Sequence, residues 1–252
     1  MKKAVVTSTA EDYLKVVLNL EDRHEKASTS NVARRLDVSD GTVTDMLRKL
    51  KSAGLLEYTP YYGVALTQRG RAIALKVLRR HRLIELFLHR VMGYGWEQVH
   101  DEAEQLEHAV SDFFVERVDA LLNHPSQDPH GEVIPDARGF REFEDDMSLV
   151  QAEKGDFTIR KVVNASPELL GYLKKESLVP AQTFTLLQKS PFLGPLKLQI
   201  HGRESASYIG HEVAACIFVS PIDSRRKRPR IVKQRAFKDR PPRKRRSQHA
   251  RN

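Results

Sequence analysis

The side chains that could bind a metal ion are concentrated in residues 100–108, which read HDEAEQLEH. On an α-helix, four of them share one face, because residues three or four positions apart are neighbours on a helix surface. These four are His100, Glu104, Glu107 and His108. Carboxylates this close repel each other unless a cation or a base lies between them. The spacing therefore predicts a metal centre on this segment.

Three residues outside the segment could complete the centre. His81 and Glu85 are four residues apart, and Asp12 lies near the N-terminus. The alternative is a solvated acidic face, since charged side chains are mostly exposed and an Asp in the first turn of a helix also complements the helix dipole. Against that alternative, apolar residues at helical spacing flank the segment and place it beside a buried edge. They are Val99, Ala103, Leu106, Val110 and Phe114.

The charge of the chain is unevenly distributed. The 252 residues carry 42 Lys and Arg against 33 Asp and Glu, a net charge of +9. Residues 224–252 hold 14 of the basic residues and one acid, so residues 1–223 have a net charge of −4. Within that body, residues 1–75 have a net charge of +3 and residues 76–150 of −8. A basic front part before an acid-rich middle fits DNA contact in the first and cation binding in the second.

The remaining composition bounds the class of protein. One cysteine, Cys216, excludes an internal disulfide framework and suits a reducing cytoplasm. We find neither a run of about eighteen apolar residues nor a signal peptide, so we expect a cytoplasmic protein without membrane association. Residues 223–252 are basic, contain Pro and lack periodicity, which predicts a disordered tail. The tail either adds nonspecific phosphate contacts or only increases solubility.

The front of the chain has the pattern of a helix-turn-helix. Ser28–Ser30 open a short helix, a turn follows, and Asp40–Ser52 form a second helix that ends at Gly54. Two strand-like stretches around residues 61–63 then predict a β-hairpin wing. A three-helix protein-interaction module is the alternative, but the wing favours a winged helix that reads DNA.

The second of these helices presents polar side chains on its exposed face. Those on the face itself are short enough to approach base edges, whereas hydroxyl and ammonium groups at its ends suit phosphates. The candidate contacts to base edges are Thr42, Thr44, Asp45 and Arg48. The candidate contacts to the DNA backbone are Arg34, Ser39, Lys49 and Lys51.

Two long amphipathic helices are predicted after the wing. The first begins after Thr67 and runs to about Val91, and the second runs from Trp96 to about Leu122. Long helices after a winged helix usually supply a dimer interface. We therefore expect a homodimer that binds double-stranded operator DNA.

Over residues 7–136 the sequence resembles the diphtheria toxin repressor family of metal-dependent transcription regulators. The resemblance rests on TAEDYL, ARRLDVSDGTVTDMLRKLKSAGLL, RHRLIELFL, VHDEAEQLEH and DPHGEVIP. It implies a mainly α protein with small β parts. The implied parts are a winged helix-turn-helix domain (1–75), a helical dimerisation and metal-binding domain (76–136), a linker (137–149) and an SH3-like β domain (150–222), followed by the tail.

The resemblance also implies two metal sites. Carried over to this chain, the regulatory site has the ligands Asp12, Glu104, Glu107 and His108. The second site has His81, Glu85 and His100, with Glu168 of the SH3-like domain as the candidate fourth ligand. Iron-sensing members carry Met and Cys where this chain has Asp12 and Glu104, so the set resembles the manganese-sensing branch, and hard oxygen ligands suit Mn²⁺. Fe²⁺ remains the alternative activator.

One residue departs from the manganese-sensing pattern. Family members that bind two adjacent ions carry a second acid on the first helix, and this chain has Lys15 there. The resemblance therefore implies a regulatory site without such a pair of ions.

A di-metal enzyme and a regulator that binds an organic ligand are the two alternative functions. Carboxylate-bridged di-metal enzymes use Glu-x-x-His pairs, whereas Glu104 and His108 are four residues apart and no HExxH motif occurs. We therefore predict no enzymatic activity and no small-molecule substrate. A winged-helix regulator that answers to an organic ligand remains the alternative.

Overall fold

A computed structural model shows a winged helix, a helical segment and a β domain in chain order. It describes residues 6–59, 63–142, 146–163 and 165–222. The tail predicted in residues 223–252 lies outside the described residues. Among the residues described, no helix combines the length and the apolar character needed to span a membrane.

The winged helix confirms the predicted helix-turn-helix. Its elements are α1 Ser8–Asp22, α2 Thr29–Leu36, α3 Asp40–Ser52, β1 Leu56–Thr59 and β2 Gly63–Leu66. The hydroxyls of Ser28 and Ser39 cap α2 and α3 by accepting from backbone N–H groups three residues on. Helix α1 is capped by Thr7, whose side chain accepts from the Ala10 N–H.

One hydrophobic core holds the helices of this domain together. Leu14 and Val17 of α1 and Val43 and Leu47 of α3 are all buried in it. Close-packed side chains in a shared core resist relative sliding of its helices. Helix α1 therefore carries the recognition helix α3 with it.

The helical segment differs from the sequence prediction at one point. Helix α4, Gln68–Arg90, follows its Thr67 cap as predicted, but the second long helix is two helices, α5 Val99–Leu106 and α6 Asp112–Leu121. The break occurs because Ser111 starts a new helix by accepting from the Phe114 N–H. The apolar periodicity of the sequence did not predict this break, because Leu106 and Val110 on either side of the turn pack against the same core.

The C-terminal domain is a small antiparallel sheet with two short helices. Its elements are β3 Met147–Ser148, β4 Gly155–Val162, α7 Pro167–Lys175, β5 Thr183–Lys189, β6 Leu196–Ile200, β7 Ser207–Ile209, α8 His211–Cys216 and β8 Ile217–Pro221. The strand order is β3-β8-β4-β5-β6-β7. This confirms the predicted β domain. The sheet begins inside the stretch predicted as a linker, where Leu149 is fully buried.

The β domain is fixed to the helical segment. Trp96, from the loop before α5, is buried in the core of the β domain, and its carbonyl accepts from His130 Nε2 at 2.8 Å. The Val162 N–H of β4 donates to the His130 carbonyl at 2.9 Å. Gly131 has a φ of +84°, and a Cβ there would lie 2.0 Å from the Arg160 carbonyl oxygen, so the close approach requires glycine.

Candidate metal centre

Three helices bring the predicted metal-binding side chains together. Helix α1 supplies residues 11–15 from the winged helix, and α4 supplies His81 and Glu85 one turn apart. Helix α5 and the turn after it supply residues 100–108. Among the described residues, three groups of donor side chains have ligand atoms within 4.8 Å of one another.

The first group joins the winged helix to the turn after α5. It consists of Asp12, Glu107 and His108. His108 Nε2 lies 2.8 Å from Asp12 Oδ1 and 3.3 Å from Glu107 Oε1. Burial raises the pKa of Asp12, while the hydrogen bond with His108 opposes the rise. Two carboxylates and an imidazole with atoms this close form a donor set suited to a divalent first-row metal.

The ring of His108 is oriented by a residue that the sequence analysis missed. His108 Nδ1 lies 3.0 Å from Glu11 Oε2, and this contact directs Nε2 towards Asp12. A carboxylate on the far nitrogen is the usual way in which a protein orients a metal-binding histidine. Glu11 is adjacent to Asp12 in the sequence, but only the direction of its side chain on α1 shows the contact.

The second group is linked to the first by a hydrogen bond between His81 and Glu107. It consists of His81, His100 and Glu104. His81 Nδ1 lies 2.6 Å from Glu107 Oε2, and His81 Nε2 lies 3.0 Å from Glu85 Oε1. Burial alone would lower the pKa of His81, but the charge of Glu85 and hydrogen bonds with Glu107 and Glu85 raise it to about 10. A metal ion that takes His81 as a ligand must therefore displace a proton.

Lys15 separates the two groups. Its Nζ donates to Glu104 Oε1 and Glu107 Oε1, both at 2.7 Å. Burial would lower the pKa of Lys15, but the charges of Glu107 and Glu104 raise it above its usual value. The four predicted ligands of the regulatory site therefore fall into different groups, with Glu104 beside His81 and His100 rather than beside His108.

A third group lies against the junction with the β domain. It consists of Glu85, Asp128 and His130, all buried. Asp128 Oδ1 accepts from the N–H groups of His130 and Glu132. Oδ2 is buried and has no hydrogen bond among the described residues, but the Arg82 Nε lies 3.5 Å from it as an ion-pair partner. Burial and the charge of Glu85 raise the pKa of Asp128 to about 7. Sequence reasoning missed this group because DPH lies in a Pro/Gly-rich stretch that predicts only a turn.

Glu168 does not join any of these groups. It is exposed in the first turn of α7, and a hydrogen bond from Ser166 lowers its pKa. A carboxylate at this position complements the N-terminus of its own helix. Of the four ligands predicted for the second site, His81, Glu85 and His100 contact one another, and Glu168 lies apart from them.

The eight candidate DNA contacts lie on the exposed surface of the helix-turn-helix. Five of them make hydrogen bonds within α3 or at its N-cap. The Ser39 hydroxyl accepts from the Thr42 N–H, and Thr44 Oγ1 donates to the Asp40 carbonyl. The Asp45–Arg48 pair is exposed at 3.1 Å, and such a pair is weak enough to open towards DNA.

Comparison with known proteins agrees with this arrangement. Residues 5–64 match the family model described as "Iron dependent repressor, N-terminal DNA binding domain", and residues 67–136 match "Iron dependent repressor, metal binding and dimerisation domain". Residues 147–221 match the FeoA domain. The iron-dependent repressor IdeR of Mycobacterium tuberculosis is 31% identical over 230 residues, which cover 86% of this chain and 99% of that protein. The chain belongs to the diphtheria toxin repressor family.

Solved structures extend the likeness to all three parts of this diphtheria toxin repressor family member. One described as a manganese-dependent transcriptional repressor in complex with manganese has a TM-score of 0.79 and 36% identity, over 84% of this chain and 99% of that one. ScaR with bound Zn²⁺ has a TM-score of 0.72 and 37% identity, with coverage of 84% and 99%. As a member of the family, the chain is a metal-dependent DNA-binding repressor.

Proposed function

We propose that this chain is a homodimeric repressor activated by Mn²⁺, with Asp12, Glu107 and His108 as the core of its regulatory metal site. The observation that carries the proposal is the 2.8 Å contact between Asp12 and His108. It joins the helix that moves with the recognition helix to the turn after α5. Glu104 is the further ligand implied by the family, and in the metal-free protein its Oε1 accepts from Lys15.

The choice of Mn²⁺ follows from the donor atoms. All three groups consist of carboxylate oxygens and imidazole nitrogens, and none contains a sulfur ligand. Oxygen ligands suit Mn²⁺, whereas thiolates and thioethers favour softer metals.

The residues around the regulatory site couple its occupancy to DNA binding. A divalent ion, when bound, supplies positive charge that two carboxylates and an imidazole can share. Glu11 orients His108, and Arg80 holds the turn by donating to the Glu107 carbonyl at 2.8 Å. Because α1 and α3 share one core, fixing α1 fixes the recognition helix. In a dimer this sets the separation of about 34 Å that major-groove reading requires.

Exposed apolar side chains on α6 support the homodimer. Phe113 is 72% exposed and Leu121 is 65% exposed. Large apolar side chains on one surface helix favour a protein partner. A second copy of the chain is that partner in the proposed function.

Operator binding tests the proposal. A DNA duplex is selected from a random library once with each of Mn²⁺ and Fe²⁺, and fluorescence anisotropy measures its Kd with Mn²⁺, anaerobic Fe²⁺, Zn²⁺ or a chelator. We expect Mn²⁺ to tighten binding roughly 5- to 150-fold, a typical allosteric coupling, and Asp12→Asn to lose that gain. Asp101→Asn removes one exposed charge from α5 and is the matched control. Equal affinity with Mn²⁺ and chelator would contradict metal activation. Because Fe²⁺ generally binds a given site more tightly than Mn²⁺, the two metals are compared at saturation, and a weaker operator affinity with Mn²⁺ than with Fe²⁺ would contradict the choice of Mn²⁺.

A further inference from the structure

Lys15 is a buried lysine at the centre of the candidate metal groups. Its side chain is 8% exposed, and it lies on α1 three residues after Asp12. Its ammonium group donates to one carboxylate of each neighbouring group, Glu104 of the second and Glu107 of the first. Both distances are 2.7 Å, typical of strong charge-assisted hydrogen bonds.

Burial of this ammonium group has a free-energy cost. Removing an ammonium ion from water costs several kcal/mol, and its pairing with carboxylates often does no more than offset that cost. A buried ion pair is therefore weak evidence for added stability. The pairing does determine the arrangement of the charges. Here it places the positive charge of Lys15 between the carboxylates of Glu104 and Glu107, which would otherwise attract a cation.

We propose that the Lys15 ammonium is a resident cation that holds Glu104 and Glu107 and thereby prevents two divalent ions from sharing these carboxylates. The inference rests on the proposed function, since it assumes that the first group binds a divalent ion. It adds that an ion bound by Asp12, Glu107 and His108 has no second ion beside it. It also assigns Lys15 a link from α1 to α5 and the turn after it that is present before any metal binds.

The geometry explains why one ammonium group has this effect. Glu107 Oε1 accepts from Lys15 and Oε2 binds His81, so each oxygen keeps one lone-pair site, which suffices for one metal ion. Glu104 Oε1 is bound by Lys15 and lies 3.8 Å from His81 Nδ1. A second ion at these carboxylates would have to displace the Lys15 ammonium group, which is buried and bonded to both of them.

The number and spacing of bound Mn²⁺ ions test the inference. Electron paramagnetic resonance distinguishes isolated Mn²⁺ from a magnetically coupled pair, and native mass spectrometry counts the ions in each chain. We expect isolated ions in the wild type at every occupancy. Lys15→Glu should bind one more ion per chain and give the coupled spectrum. Lys15→Arg keeps the charge and should behave as the wild type.

Two controls keep the test decisive. Lys15→Met removes the charge without adding a ligand, so it should bind the extra ion more weakly than Lys15→Glu. It replaces Lys15→Glu in the test if the glutamate variant does not fold. Lys26→Glu makes the same change at an exposed position and should leave the ion count unchanged. A coupled pair in the wild type would overturn the inference, as would variants of Lys15 that gain no ion. A wild type that binds no Mn²⁺ would instead overturn the proposed function and this inference with it.

Discussion

Glu107 is the carboxylate on which the metal-free network depends most. Its side chain is fully buried, and its two oxygens bind Lys15 at 2.7 Å and His81 at 2.6 Å. The hydrogen bond and charge of His81 lower its pKa, against the effect of burial. Glu107→Gln keeps the shape of the side chain but removes its charge. In this variant the buried Lys15 and His81 each lose one negatively charged partner.

The expected loss of stability follows from this burial. Breaking a buried pair by removing one partner costs about 3–5 kcal/mol. The lower end, about 3 kcal/mol, applies here because Glu104 still binds Lys15 and Glu85 still binds His81. At roughly 2–4 °C per kcal/mol for a chain of this size, Tm should fall by about 6–12 °C.

Glu104→Gln is the matched control. Its side chain is 39% exposed, and exposed pairs contribute roughly 0.2–1 kcal/mol. Both variants and the wild type are unfolded with urea and by heating in the presence of a chelator, with circular dichroism as the probe. If Glu107→Gln costs no more than Glu104→Gln, the reasoning that the Glu107 network holds the turn against α1 and α4 is refuted.

Three further predictions concern pH and DNA. The pKa of His81 is raised to about 10 in the folded protein. Protonated His81 should therefore stabilise the metal-free protein fully below the unfolded pKa of about 6.5, and this stabilisation should be lost as the pH rises through about 10. Urea titrations at pH 6 to 10 should show the loss in the wild type and not in His81→Gln. Lys49→Ala should reduce the slope of log K against log salt for operator binding by about 1, if Lys49 contacts a phosphate, and an unchanged slope would exclude that contact. Deleting residues 224–252 should flatten the same slope and leave the dependence on Mn²⁺ intact; a lost Mn²⁺ response would show that the tail does more than bind phosphates.

The helices were predictable where a local signal marks their ends. Ser28, Ser39 and Thr67 each cap a helix through a short hydroxyl side chain, and caps of this kind are readable in the sequence. Ser111 carries the same signal, but the apolar stripe that continues across it favoured one long helix. Periodicity reports which face is buried. It does not report whether the chain turns while keeping that face buried.

The residue types of the candidate metal centre were predictable from the sequence, but the division of these residues into separate groups was not. The acidic and histidine side chains of α4 and α5 do meet, because their spacing is local to each helix. The partners of Lys15 and the grouping of Glu85 with Asp128 and His130 depend on long-range packing. Glu168 matched a family position only weakly, and its local role at the start of α7 is the stronger constraint on its side chain.

The central claim is that a divalent ion joins the winged helix to the turn after α5. Anomalous diffraction from crystals grown with Mn²⁺ tests it most directly, with data collected on both sides of the manganese absorption edge. We expect a manganese peak in contact with Asp12, Glu107 and His108. A fully loaded crystal with manganese elsewhere and no peak among these three side chains would contradict the account.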